Sequence, residues 1–98
     1  MVETKEIKIG RGKALGVKVE LKGAPLVLIA AEKGYVMCGY LNLETAERLG
    51  QAAAIVRGVK TFDDVLNAEI AETTSGAKAL GVKKGMSGRE ALERMEQH

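Results

Sequence analysis

The first half of the chain alternates between apolar and charged residues. Ile7 and Ile9 are interleaved with Glu6 and Lys8; after Gly10-Arg11-Gly12 the pattern resumes as Val17, Val19 and Leu21 against Lys18, Glu20 and Lys22. A period of two with charges on one face predicts half-solvated strands, the 17–21 strand lying near a sheet edge. Gly23-Ala24-Pro25 interrupts. The run Leu26-Val27-Leu28-Ile29-Ala30-Ala31 contains no polar residue, which predicts a strand covered on both faces. Glu32-Lys33-Gly34 reads as a tight turn with Gly34 at positive φ, followed by a partner strand over Tyr35-Val36-Met37-Cys38. The expectation is a four-stranded meander with 26–31 and 35–38 central and 17–21 more exposed.

The second half changes period. Asn42 can cap a helix whose inner face is Leu43, Ala46 and Leu49, ended by Gly50. Ala53-Ala54-Ile55-Val56 returns as a buried strand, closing a strand–helix–strand unit broken at Gly58. Thr61 and Asp64 have capping-box spacing, with Phe62, Val65 and Leu66 on one helical face. A short strand is expected near 70–73. Thr74 or Ser75 then caps a turn of helix through Ala77, Ala79 and Leu80, stopped by Gly81. Ser87-Gly88-Arg89-Glu90 is a second capping box, and Ala91, Leu92 and Met95 form the inner face of a C-terminal helix. The fold class expected is α+β: a mixed sheet opening with a strand meander, then alternating helices and strands packed on it.

Composition narrows the class. Ninety-eight residues suit one domain over 1–98, since such units typically run to roughly 100–150 residues. Fifteen Lys and Arg against 13 Asp and Glu leave a net charge of +2, too balanced to point to nucleic acid or a membrane. With three aromatics, Phe62, Tyr35 and Tyr40, there is no base-stacking platform. One cysteine and one histidine, His98, exclude a disulfide framework and a His-rich metal site, so no metal is expected. No signal peptide and no apolar stretch near the ~20 residues of a membrane helix are seen, and a cytoplasmic location is expected. Ten Lys and eleven Glu against two Asn and two Gln lean toward a thermophile, though ordinary surface composition explains them equally well. Lys-Ala-Leu-Gly-Val-Lys occurs at 13–18 and again at 78–83. The flanks differ and the contexts predict a strand and a helix end, so the repeat reads as coincidence.

Candidate chemistry is sparse. Gly10-x-Gly12-x-x-x-Gly16 echoes a dinucleotide loop, but a strand follows where the mechanism needs a helix, which leaves a hairpin turn. Cys38, at a strand end four residues before a helix cap, is either a nucleophile activated by that helix or a neighbouring cation, or a small buried hydrophobe. Lys83, Lys84 and Arg89 accompany Gly85 and Gly88 at a helix start, where free amides favour an anion unless Ser87 and Glu90 consume them. Asp63 and Asp64 diverge on a helix and do not make an acid–base pair.

Gly34-Tyr35-Val36-Met37-Cys38-Gly39, the 57–66 segment Arg-Gly-Val-Lys-Thr-Phe-Asp-Asp-Val-Leu, and Gly85-Met86-Ser87-Gly88-Arg89-Glu90-Ala91-Leu92 resemble the YunC-like family. These are small bacterial and archaeal proteins classed as a domain of unknown function. The resemblance spans about Ile7 to Met95. It implies an α+β fold with helices packed on a mixed sheet, and it implies no particular reaction or cofactor.

Two functional readings lead. One is a small-ligand or anion-binding protein, or an enzyme using Cys38, with a composite site from Gly34, Cys38, Gly39, Gly85, Ser87, Gly88 and Arg89. The other is a homo-oligomeric interaction module, because a small core gains from self-association through a sheet edge or a helix face. Nucleic-acid binding through Lys5, Lys8, Arg11, Lys13, Lys18 and Lys22 is disfavoured by the interleaved Glu3, Glu6 and Glu20.

Overall fold

A two-residue turn at Gly10 and Arg11 sets the register of everything before residue 40. The computed structural model describes residues 1–40 and 42–96. Gly10 takes a φ of 54°, the left-handed region where glycine is favoured. The turn pairs Ile9 with Gly12 and Ile7 with Ala14, joining β1 (Val2–Ile9) to β2 (Gly12–Val19). β3 (Leu26–Ala30) and β4 (Tyr35–Met37) complete an antiparallel meander. α1 (Leu43–Arg48) crosses to β5 (Ala53–Ile55), which runs parallel to β4. After α2 (Phe62–Asn67), β6 (Glu72–Thr73) closes the sheet antiparallel to β5. The strands lie in chain order, β1 to β6, so β3 and β4 are central as expected. α3 (Ser75–Ala79) and α4 (Gly88–Arg94) follow. This is a single-sheet α+β architecture with a C-terminal helix.

One face of the sheet carries the core. Ile7, Ile9, Ala14, Val27, Ile29, Val36 and Ala54 join Phe62, Val65 and Leu66 of α2, with Ala91, Leu92 and Met95 at the last helix. Leu92 and Met95 are fully buried, each contributing about 1.5–3 kcal/mol relative to exposure. The approach of α4 to α2 depends on Gly88: a Cβ there would lie 1.9 Å from the Val65 carbonyl oxygen. Both capping boxes form, Thr61 with Asp64 and Ser87 with Glu90. Thr74, not Ser75, caps α3.

Several expectations need correction. The second strand spans 12–19, not 17–21, and its inward side is Ala14 and Gly16. Phe62 and Ile7 fill the space there, each 2.8 Å from where a Gly16 Cβ would stand. Val17 and Val19 therefore face outward, and Leu21 is exposed beyond the strand end. β3 is not covered on both faces: only Val27 and Ile29 are buried, because α2 and α4 lie on one side. Gly34 is absent from the positive-φ glycines. Its lack of a side chain matters instead because a Cβ would sit 2.5 Å from the Ala52 carbonyl oxygen. Leu49 is 65% exposed, leaving Ala46 as the buried residue of α1, which packs against β5.

Candidate functional site

β4 and β5 run parallel and end side by side. In open sheets, the crevice beyond the carboxyl ends of parallel strands is where ligands bind. There the chain leaves β4 through Cys38, Gly39 and Tyr40, and leaves β5 through Val56 to Lys60 with a left-handed turn at Gly58 (φ 71°). The two exits and the Ala24-Pro25 corner enclose a hollow of about 290 Å3, lined by Ala24, Pro25, Cys38, Gly39, Tyr40, Gly58, Val59 and Lys60. The Tyr40 hydroxyl donates to the Ala24 carbonyl at 3.1 Å and ties two of the walls together.

Polar groups are few and placed at the margin. The Lys60 amide donates to Asp64 Oδ2 at 3.0 Å and the Thr61 amide to the same oxygen at 3.2 Å. These amides hold the Asp64 carboxyl below its ordinary value, Lys60 foremost, and fix the backbone of the Lys60 corner. Arg57 lies beside Gly39, its Nη1 3.7 Å from where a Cβ would stand. Its Nη2 pairs with Glu72 at 3.1 Å.

Cys38 forms the floor. It is 5% exposed, and its sulfur accepts the Val27 amide at 3.4 Å. No described ionisable side chain hydrogen-bonds to it, and His98, the one histidine, lies outside the described residues. Among the described residues no cluster of three His, Cys, Asp or Glu side chains converges. The arrangement can shelter an apolar group, and among the described residues no base hydrogen-bonds to Cys38.

The composite site is not assembled. Cys38 and Gly39 share the hollow, but Gly34 sits before β4, at the opposite end of that strand. It lines a separate depression with Glu32, Tyr35 and Gln51. Gly85, Ser87, Gly88 and Arg89 line neither. At the Ser87 helix start three amides are consumed internally. The Gly88 amide donates to the Ala68 carbonyl at 2.9 Å, the Ser87 amide to Glu90 at 3.4 Å and the Glu90 amide to Ser87 Oγ at 3.1 Å.

Two features go beyond the sequence reading, the second of them bringing Lys83 and Lys84 to a different place from the helix start where they were expected to act. Lys60 and Tyr40 join the hollow only because the β4 and β5 exits are adjacent; the Gly58 turn signal was the available hint. The second is a hollow of about 310 Å3 lined by Glu72, Thr73, Lys78, Val82, Lys83 and Lys84. Thr73 is 9% exposed and its hydroxyl has no hydrogen-bond partner among the described residues. None of the three lysines pairs with a described carboxylate within 4.0 Å.

A mixed sheet in chain order, α2 and α4 packed on its core face and a ligand-sized hollow at the parallel strand ends define a small α+β domain. Residues 37–95 match the family model described as a domain of unknown function, DUF1805. The chain is 37% identical over 99 residues to the uncharacterized protein YunC of Bacillus subtilis (strain 168), across 97% of this chain and 98% of that protein. The chain belongs to this YunC-like family. It also resembles the crystal structure of a protein of unknown function, TA1206, from Thermoplasma acidophilum. That match has a TM-score of 0.92 and 39% identity, covering 97% of this chain and 93% of the other. Among the described residues no helix is long and apolar enough to cross a membrane.

Proposed function

We propose that the protein binds a small organic anion in the hollow beyond β4 and β5, its apolar part against Cys38, Pro25 and Val59 and its charge toward Lys60. The observation that carries this reading is the position of an apolar hollow at the carboxyl ends of the parallel pair, with Lys60 in its lining and the Lys60 backbone fixed there by Asp64. Binding is favoured over catalysis because Cys38 is buried and, among the described residues, meets no general base. A single unpaired, buried cysteine accords with a reducing, cytoplasmic setting.

The test is thermal denaturation of the full chain with butyrate, hexanoate and glycerol phosphate, in parallel with the rate of Cys38 alkylation by iodoacetamide. At least one probe should raise Tm and slow alkylation, and Lys60→Met should abolish both effects. No response to any probe, or a response that Lys60→Met leaves intact, overturns the reading.

A second reading is favoured by the unpartnered Thr73 hydroxyl: an inorganic anion held by Lys78, Lys83 and Lys84. Stabilisation by phosphate that survives Lys60→Met and disappears in Lys83→Met/Lys84→Met would select it. Phosphate without effect on the wild-type Tm sinks it.

A further inference from the structure

We infer that the hollow beside β6, read above as an anion site, is built for a small free phosphate monoester, a step that rests on that reading. The phosphoryl group meets the Thr73 hydroxyl and the amines of Lys78, Lys83 and Lys84. Ile29, Val36, Ala54 and Thr73 stand in one row across the sheet, and residues opposite one another on a ladder point to the same side. The first three are wholly buried apolar residues; Thr73 ends the row with a hydroxyl, at 9% exposure. That hydroxyl has no hydrogen-bond partner among the described residues. Its neighbour shows the contrast, since Thr74 Oγ1 takes part in three hydrogen bonds. A buried polar group without a partner destabilises a fold, and valine would fill the same space without that loss. A threonine there, in the lining of a hollow, suits a ligand that supplies the missing partner.

The lysines are carried by a fixed backbone. α3 ends where the Gly81 amide donates to the Lys78 carbonyl at 2.9 Å and the Val82 amide to the Ala77 carbonyl at 3.0 Å, with Gly81 at a φ of 93°. This left-handed exit turns Val82 into the core, where it is fully buried. Lys83 and Lys84 follow in a turn closed by the Met86 amide on the Lys83 carbonyl at 3.3 Å. The Gly85 amide anchors that turn to the Ile70 carbonyl at 2.9 Å. A backbone tied at both ends keeps Lys83 and Lys84 in the lining before any ligand arrives, which lowers the ordering cost of binding.

Charge and size choose the ligand. None of the three lysines pairs with a described carboxylate within 4.0 Å. Glu72, the acidic residue of the lining, already pairs with Arg57 at 3.1 Å. The surplus of positive charge suits a dianion better than a monoanion, and a phosphate monoester carries about −1.5 to −2 at neutral pH. The hollow measures about 310 Å3, at the small end of the roughly 300–1,000 Å3 of organic-ligand sites. A phosphate ion alone leaves most of it unfilled, so room remains for a short organic group against Val82. A peptide strand is a poorer occupant. β6 has two residues, and the bonds between Ile70 and the 85–86 turn occupy the edge that leads into it.

Isothermal titration calorimetry of the full chain tests this, with ethyl phosphate, inorganic phosphate and ethyl sulfate as probes. Ethyl phosphate should bind at one site per chain, more tightly than inorganic phosphate and at least about tenfold more tightly than the monoanionic ethyl sulfate. Lys60→Met should leave that affinity unchanged, and the ester should not slow Cys38 alkylation, because neither residue lines this hollow. Lys83→Met/Lys84→Met should lose at least about tenfold in affinity. Thr73→Val should bind ethyl phosphate more weakly while its Tm without ligand holds or rises, a combination that a merely structural hydroxyl does not give. Should Thr73→Val fail to fold, Thr73→Ala carries the same binding comparison. Inorganic phosphate bound as tightly as ethyl phosphate overturns the inference and leaves the anion reading standing; neither phosphate bound overturns both. Unchanged ethyl phosphate affinity in the folded Thr73 or double-lysine variant also overturns it. So does protein that sediments with phosphatidic acid vesicles yet binds no ethyl phosphate, which would assign the ester to a lipid.

Discussion

Glu96 and Gly12 are hydrogen-bonded across 84 residues of sequence: the Gly12 amide donates to Glu96 Oε1 at 2.5 Å. The carboxylate lies in the β1–β2 turn, where a Cβ on Gly10 would fall 2.5 Å from Oε2 and one on Gly12 2.6 Å from Oε1. The glycine-rich turn that echoes a dinucleotide loop thus cradles the chain's own carboxylate and tethers the end of α4 to the first hairpin. Hydrogen bonds to charged groups contribute about 1.5–3 kcal/mol, so Glu96→Ala should lower unfolding free energy by that amount in urea titrations. Gly12→Ala should cost less in the Glu96→Ala background than in wild type, the signature of coupled positions. Additive losses would show that the turn and Glu96 act separately.

Thr74 is a buried hub. Its Oγ1 accepts the Ala53 amide at 3.0 Å and the Ala77 amide at 3.3 Å, and donates to the Gln51 carbonyl at 2.7 Å. Thr74→Val keeps the shape and orphans these groups. Unmet buried groups cost about 1–3 kcal/mol each, so a clear drop in Tm should appear. An unchanged Tm would mean the amides find other partners.

The Ser87 and Gly88 positions separate capping from packing. Ser87→Ala should cost about 0.5–2 kcal/mol, the usual loss for a cap. Gly88→Ala should cost more, because its Cβ meets backbone at 1.9 Å and α4 must move off α2. Chemical denaturation of both variants checks the order. Equal losses would argue that the crossing relaxes freely.

Cys38 should react slowly in the native state. Iodoacetamide labelling of the folded protein is expected to be far slower than in denaturant, since the sulfur is buried under the hollow and bonded to the Val27 amide. Fast native labelling would return Cys38 to the candidate nucleophiles.

Acid should weaken the fold modestly. The Ser75 amide, 2.8 Å from Glu47 Oε1, holds that carboxyl below its ordinary value, and the Lys60 amide does the same for Asp64. A carboxyl lowered on folding stabilises above its unfolded value, and that contribution fades as pH falls through about 4 and below. Both groups are exposed, so the effect is small. Urea midpoints at neutral pH and at about pH 3 should converge in Asp64→Asn/Glu47→Gln relative to wild type. An unaltered difference would assign the acid sensitivity to other carboxyls.

Local signals were legible where the physics is local. Both capping boxes, the Asn42 cap, the meander and the strand–helix–strand unit follow from spacing that the backbone reads within a few residues. So do the inner faces of α2 and α4. Tertiary structure alone decided which side of each strand is inside. The alternation over 17–22 marks two faces, and only Phe62 and Ile7 crowding Gly16 shows that the apolar row points out. The same physics separates the two copies of Lys-Ala-Leu-Gly-Val-Lys: residues 13–18 are extended by pairing with β1 and β3, whereas 78–83 finish a helix capped by Thr74 and turn at Gly81. The candidate site divides likewise. Cys38 and Gly39 stood out in sequence, but Lys60, Tyr40 and Pro25 meet them only because parallel pairing sets two distant strand exits side by side. Such proximity is a property of the register, and no spacing along the chain encodes it.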